Sequence, residues 1–231
     1  MTEDVKRISI VYGHLGSGKS EFAANYAIYL RKKYNPVAII DLDTISMYFR
    51  VRGIADVFKE HDIELLATSL KSSDTLDIPA LDARNVVPFQ NKAYHAVVDT
   101  GGDPKGTLIL RYYKEFLKNE TETLYVMNAN RQDTSTADKV QEFMENIAAF
   151  SGKPVDYIVN TTHMLRATTP EDILRGAELA EEVSKTTGVP IKYHVGLEPV
   201  VNQIKQDPAV SEDVKQRLFP IQLYLRSDWM V

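Results

Sequence analysis

Gly13, Gly18, Lys19 and Ser20 stand at the spacing G-x-x-x-x-G-K-S within VYGHLGSGKSEF, residues 11–22. Few features constrain a fold more. Ile8 to Tyr12 is a short apolar run that reads as a buried strand ending at Gly13. Phe22, Ala23, Tyr26, Ala27 and Leu30 then recur at helical spacing, predicting a helix over 19–33. Between the two, glycines allow backbone that other residues avoid, and the first amides of the helix face an anion. In such a loop Lys19 reaches the β- and γ-phosphates of a nucleotide, and the Ser20 hydroxyl binds Mg²⁺.

The rest of the chain repeats the strand-then-helix order. VAIIDLD reads as a second buried strand, and Ile63 to Ala67 as a short one inside an irregular stretch from Thr44 to Lys92. YHAVVD, TLYVMNA, VDYIVN and IKYHV read as further strands. Helices are predicted over 104–118, 134–150 and 170–187, the last opened by Thr169-Pro170-Glu171-Asp172, a strong start signal. Phe143, Ile147 and Phe150 form a helical stripe read as core. The tail FPIQLYLRSDWMV reads as a last strand or a docked extension. The alternation calls for an α/β fold, a mostly parallel twisted sheet with helices on both faces. Near-continuous apolar strands fit a sheet covered on both sides.

In open α/β sheets ligands sit beyond the carboxyl ends of the strands. Asp41 and Asp43 end one predicted strand and Asp99 ends another, just before Gly101 and Gly102. A strand-end acid followed by glycines suits a magnesium-facing residue and a loop that senses the γ-phosphate. Each such Asp also suits a turn or cap. MYFRVRG, residues 47–53, places Tyr48, Phe49, Arg50 and Arg52 nearby, as a local turn with salt bridges or as a partner surface. Arg131 and Arg166 fall after strands on the same edge.

Composition removes several classes. The 231 residues contain no Cys, which excludes disulfides, thiolate metal sites and Cys nucleophiles. His14, His61, His95, His163 and His194 show no metal-ligand spacing, and His95 and His194 read as structural. The net charge of -5 argues against a broad nucleic-acid surface. The N-terminus does not read as a signal peptide, and no apolar run of about 18 residues suggests a membrane span. A cytoplasmic location is expected.

GHLGSGKS, IIDLD, VVDTGGDP and YIVNTTH together resemble the MinD/ParA/CobQ group of P-loop ATPases, of the SIMIBI class, which includes the nitrogenase iron protein. The resemblance implies a P-loop NTPase fold over a single domain, 1–231, with ATP and Mg²⁺ as cofactors. It makes Lys19 the phosphate-binding lysine and Ser20 the magnesium ligand. Asp43 resembles the acid that positions the hydrolytic water, and Asp99 the acid of the second switch; Ser20, Asp43 and Asp99 would surround the metal. Gly13, His14, Gly16, Ser17, Gly18, Glu21 and Gly102 are expected against the nucleotide. Asn160 resembles the residue that reads adenine, though it also suits a turn. The sequence departs from the group at His14, where many members carry a signature Lys that reaches across a dimer.

The resemblance implies an ATPase that acts as a nucleotide-dependent switch, as a homodimer serving a protein or small-molecule client. No nucleic acid or membrane partner is expected, because the charge balance is acidic and no Lys/Arg-rich amphipathic C-terminal helix is read. Two alternatives stay open: an ATP-dependent phosphotransferase or ligase of the dethiobiotin-synthetase kind, and a nucleotide sensor that does not hydrolyse. No N-K-x-D follows a strand, so guanine recognition of the common GTPase kind has no support in the sequence.

Overall fold

The computed structural model describes residues 5–43, 50–67, 83–117 and 120–226. Eight strands form one sheet in which every pairing is parallel: β1 (Ile8–Gly13), β2 (Val37–Asp41), β3 (Glu64–Ala67), β4 (His95–Asp99), β5 (Thr121–Met127), β6 (Tyr157–Asn160), β7 (Ile191–Leu197) and β8 (Leu218–Ile221). Their order is β3-β2-β4-β1-β5-β6-β7-β8. The chain leaves β1 toward one side of the sheet and later returns to its other side, so the strand order reverses at β1. That is where ligands bind in such sheets.

Both faces of the strands are apolar. Ile8, Ile10 and Tyr12 face one core with Ile40, Val98 and Met127, under α4 (Ala137–Ser151) and α5 (Pro170–Thr187). Val11, Ile39, Val97 and Val126 face the other, under α1 (Lys19–Arg31). Within this second core Phe22 and Tyr26 lie among Tyr193 and Phe219, ring centroids 5.0–6.2 Å apart. Ala23, Ala24 and Ala27 let α1 lie close to its neighbours. This packing fixes where the first turn of α1 points, and truncating Phe22 to Ala would cost about 3–5 kcal/mol.

Shorter helices complete the chain: α2 (Ala55–Glu60), α3 (Val87–Gln90), α6 (Glu198–Gln206) and α7 (Glu212–Gln216). The helix predicted over 104–118 is instead a 3-10 helix, Pro104–Tyr113. Its buried Thr107, Leu110 and Tyr113 recur every three residues, the period of a 3-10 turn. The helix predicted from 134 begins at Ala137, because the Thr134 hydroxyl is drawn back to donate to the Asn128 carbonyl at 2.8 Å. In α4 the buried stripe is Val140, Met144 and Ile147, while Phe143 and Phe150 are half-buried. α5 spans the predicted residues, with Thr169 and Asp172 forming a capping box. The tail does both things its sequence allowed. Leu218–Ile221 pairs with β7, and residues 222–226 lie outside the ladder. Tyr48, Phe49 and residues 68–82 lie outside the described residues.

Candidate nucleotide site

At the carboxyl end of β1 the backbone turns back on itself. A Cβ on Gly13 would lie 2.6 Å from both the Ser17 Oγ and the Val126 carbonyl of β5, so no side chain fits there. Gly18 takes a left-handed conformation, φ 86°, and starts α1. Thr161, just beyond β6, sets its hydroxyl between the carbonyls of Ser17 and Met127 and so ties the loop to the sheet.

The loop forms one end of a cavity of about 390 Å³. His14, Gly16, Gly18, Lys19, Ser20, Glu21, Asp43 and Gly102 line it, as expected of nucleotide contacts. Gly102 approaches the loop closely: a Cβ there would lie 3.0 Å from the backbone of Leu15. Gly13 and Ser17 lie beneath the loop, not in its wall. The Ser17 Oγ is buried with no hydrogen-bond partner.

The polar floor of the site is charged. Lys19 Nζ lies 3.0 Å from Asp99 Oδ1 and 3.2 Å from the Ser20 hydroxyl. Asp99 is at the end of β4, in register with Asp41 of β2. Burial pushes the Asp99 carboxyl up to about 6; Lys19 pulls it back, Asp41 pushes it further up, and the Ser20 hydroxyl pulls it down. Its Oδ2 is buried without a hydrogen-bond partner. Arg52 donates to Asp41 Oδ2 at 2.7 Å and to the Asp43 carbonyl at 3.1 Å. Of the two readings of MYFRVRG, the described part therefore supports the local turn with salt bridges.

Three expected contacts are reassigned by the geometry. Asn160 is fully buried: it accepts from the Thr162 amide at 3.0 Å and donates to the Ile173 carbonyl at 2.9 Å. It does not line the cavity, because α5 covers it. The Glu21 carboxylate borders the cavity, but both its oxygens accept from strap amides, Tyr224 N at 2.6 Å and Leu225 N at 3.2 Å. Burial raises its pKa to about 7. The His14 ring is likewise engaged, with Nδ1 2.8 Å from the Leu15 carbonyl, Nε2 3.2 Å from Asp133 and its face against Phe143.

Of the other wall residues, Arg131 is a candidate base or phosphate contact by its place after a strand, while His163 and the apolar residues carried no such signal in the sequence. His163 follows β6. Its Nδ1 faces the Asn128 amide nitrogen at 3.4 Å and so accepts, which leaves Nε2 to carry the proton beside Gly18. Burial, with Arg131 and Arg226 nearby, holds its pKa down to about 4. Arg131 donates to the Gly16 carbonyl at 3.0 Å, while Arg166 does not line the cavity. Leu165, Val195, Leu197, Ile221, Leu223 and Leu225 make the far end apolar. The cavity thus joins a charged floor to an apolar wall.

No protein-family model matches the chain, and no curated protein matches it. Solved structures are similar in fold. The signal recognition particle receptor FtsY from Elizabethkingia anophelis superposes with TM-score 0.54 at 16% identity, over 84% of this chain and 59% of that one. The signal recognition particle 54 kDa protein from Aeropyrum pernix, in complex with GDP, gives 0.52 at 18%, over 84% and 42%. The cell division protein FtsY from Thermotoga maritima gives 0.51 at 19%, over 84% and 62%. The chain thus spans less than two thirds of each of these proteins. With its all-parallel sheet and its loop between β1 and α1, it shares the α/β fold of these proteins.

Proposed function

We propose that the chain is a Mg-ATP-binding ATPase that works as a nucleotide-dependent switch, as a homodimer serving a partner. One observation carries the reading. Lys19, Ser20 and Asp43 line the same cavity as an apolar wall, and Asp99, buried behind the lining, pairs with Lys19. Asp99 Oδ2 is buried there without a hydrogen-bond partner, and buried polar atoms are rarely left unpaired.

The donor set suits Mg²⁺. This ion keeps several waters and takes one or two carboxylates together with phosphate oxygens. Ser20, Asp43 and Asp99 would hold it, and when bound it neutralises charge on the phosphates. Lys19 binds the β- and γ-phosphates, and Asp43 orients water toward the γ-phosphorus. In hydrolysis the water oxygen bonds to that phosphorus as the bond to the β,γ-bridging oxygen breaks. The diphosphate keeps the electron pair, and the water proton passes to phosphate. The loops around Asp43 and Gly102 are the parts that nucleotide would order.

A second reading, a guanine nucleotide, is favoured by the GDP bound to the Aeropyrum protein. Against it, β6 runs into Asn160-Thr161-Thr162-His163 with no N-K-x-D, and among the described residues no Asp lines the apolar end. Calorimetric titration with Mg-ATP and Mg-GTP, on the parent chain and Lys19→Ala, tests both. Mg-dependent ATP binding that is lost in Lys19→Ala is expected. Binding insensitive to Lys19, or none, would overturn the nucleotide reading, and tighter GTP binding would replace ATP. Light scattering of Asp43→Ala with and without Mg-ATP tests the dimer.

A further inference from the structure

We propose that residues 222–226 form the nucleoside-facing wall of the cavity and that Glu21 and Asn25 of α1 hold that wall in place. Glu21 is thereby a positioning residue for the nucleoside half of the ligand. The inference rests on the nucleotide reading of the cavity.

Beyond β8 the chain has no strand partner among the described residues. Two side chains of α1 supply one instead. Asn25 donates from Nδ2 to the Gln222 carbonyl at 2.9 Å and accepts at Oδ1 from the Gln222 amide at 3.0 Å. One turn earlier, the two Glu21 oxygens take the amides of Tyr224 and Leu225. Residues four apart share a helix face, so a single face of α1 acts as the missing strand. The strap is therefore fixed to the same helix whose first turn holds Lys19 and Ser20.

Leu223 and Leu225 of the strap line the cavity with Ile221, whose ladder partner Leu197 lines it too, as does Val195. An anion gains nothing against such a wall, whereas a planar base with its ribose does. Arg226 stands at the edge of the cavity. The position of Glu21 would otherwise be adverse, a carboxylate two residues from the phosphate-binding lysine. The two strap amides, Tyr224 N and Leu225 N, turn it away from the phosphates.

Inorganic tripolyphosphate separates the two halves of the ligand, since it has the phosphates and no nucleoside. Affinities for Mg-ATP and Mg-tripolyphosphate are to be measured on the full chain carrying Glu21→Ala, Glu21→Gln, Leu225→Ala or Lys19→Ala. Loss of two charge-assisted bonds predicts about tenfold or more weaker ATP binding in Glu21→Ala, with tripolyphosphate within about twofold. Glu21→Gln, which keeps one acceptor, is expected between the two. Leu225→Ala trims the wall without touching its attachment and is expected to show the same selective loss, so the test stands if Glu21→Ala does not fold. Lys19→Ala is expected to weaken both ligands. Equal effects on both ligands in Glu21→Ala and Leu225→Ala, or none, would overturn the strap proposal while leaving the nucleotide reading intact. Indifference of both ligands to Lys19→Ala would overturn that reading and this proposal together.

Discussion

Lys19 Nζ and Asp99 Oδ1 meet at 3.0 Å, with the two side chains only 7% and 1% exposed. A pair so far from water is costly to split. Each charge was desolvated against the other, and removing one strands its partner. Lys19→Ala is expected to lower stability by about 3–5 kcal/mol, and Asp99→Asn by less, because an amide still accepts from the lysine. The double variant Lys19→Ala with Asp99→Asn should cost less than the two single changes together. Urea unfolding of all three checks it, and strict additivity would mean that the pair is not coupled.

The same desolvation gives the chain opposing responses to pH. His163 and His194 are each held down to about 4, chiefly by burial. As pH falls through 6.5 the unfolded chain takes up protons on them and the folded chain does not, so stability is lost between pH 6.5 and about 4. Glu21 and Asp99, raised to about 7 and about 6, act with the other sign. The folded chain protonates them first, so their contribution grows as pH falls from about 7 and is lost as pH rises again. His194→Gln keeps an acceptor for Asn160 and removes one titrating ring. Its stability difference between pH 7 and pH 5 should move by about 2 kcal/mol in favour of pH 5. Denaturant midpoints at the two pH values measure this; an unchanged difference would show that His194 titrates alike in both states.

Gly102 offers a test of the loop between β4 and the 3-10 helix. A Cβ at this position would press at 3.0 Å on the Leu15 backbone in the phosphate loop. Gly102→Ala should therefore push the two loops apart. Misplacement on this scale is expected to slow nucleotide hydrolysis by about tenfold or more. Stability should fall by no more than about 1 kcal/mol, since Gly102 lies outside the sheet. Turnover and unfolding measured on one preparation distinguish the two effects.

Legibility in the sequence depends on the range of each interaction. The phosphate loop is readable because all its parts lie within eight residues, and α5 because Thr169, Pro170 and Asp172 are neighbours. Asp43 and Asp99 are readable because strand ends gather at one edge of a parallel sheet. The attachment of Glu21 to Tyr224 spans 203 positions and has no periodicity to betray it. Asn160 misleads for a related reason. It ends a strand at the right edge, but α5, which begins ten residues later, covers it. The 3-10 helix at Pro104–Tyr113 is ambiguous in sequence because apolar spacings of three and of three-to-four look alike over ten residues.

His14 occupies the place of a lysine that reaches outward in the resembling ATPases, yet its ring is turned along the surface of its own chain. Its nitrogens face the Leu15 carbonyl and Asp133, and Phe143 packs against its ring at 5.3 Å. Both ring nitrogens thus face oxygens of the same chain. The arrangement braces the loop against the turn before α4. Asp133 is 69% exposed on its side chain, so water screens the pair, and a coupling of about 0.5 kcal/mol is expected. In a double-mutant cycle of His14→Ala and Asp133→Ala, read by Mg-ATP affinity, the second change should therefore matter less once the first is made. Phe143→Ala should weaken binding in the same direction by loosening the ring. The solution mass with Mg-ATP should not change in His14→Ala, because a ring held within its own chain contributes nothing across a dimer. A mass that falls to monomer in His14→Ala alone, with Asp133→Ala unaffected, would instead assign the ring to the partner subunit.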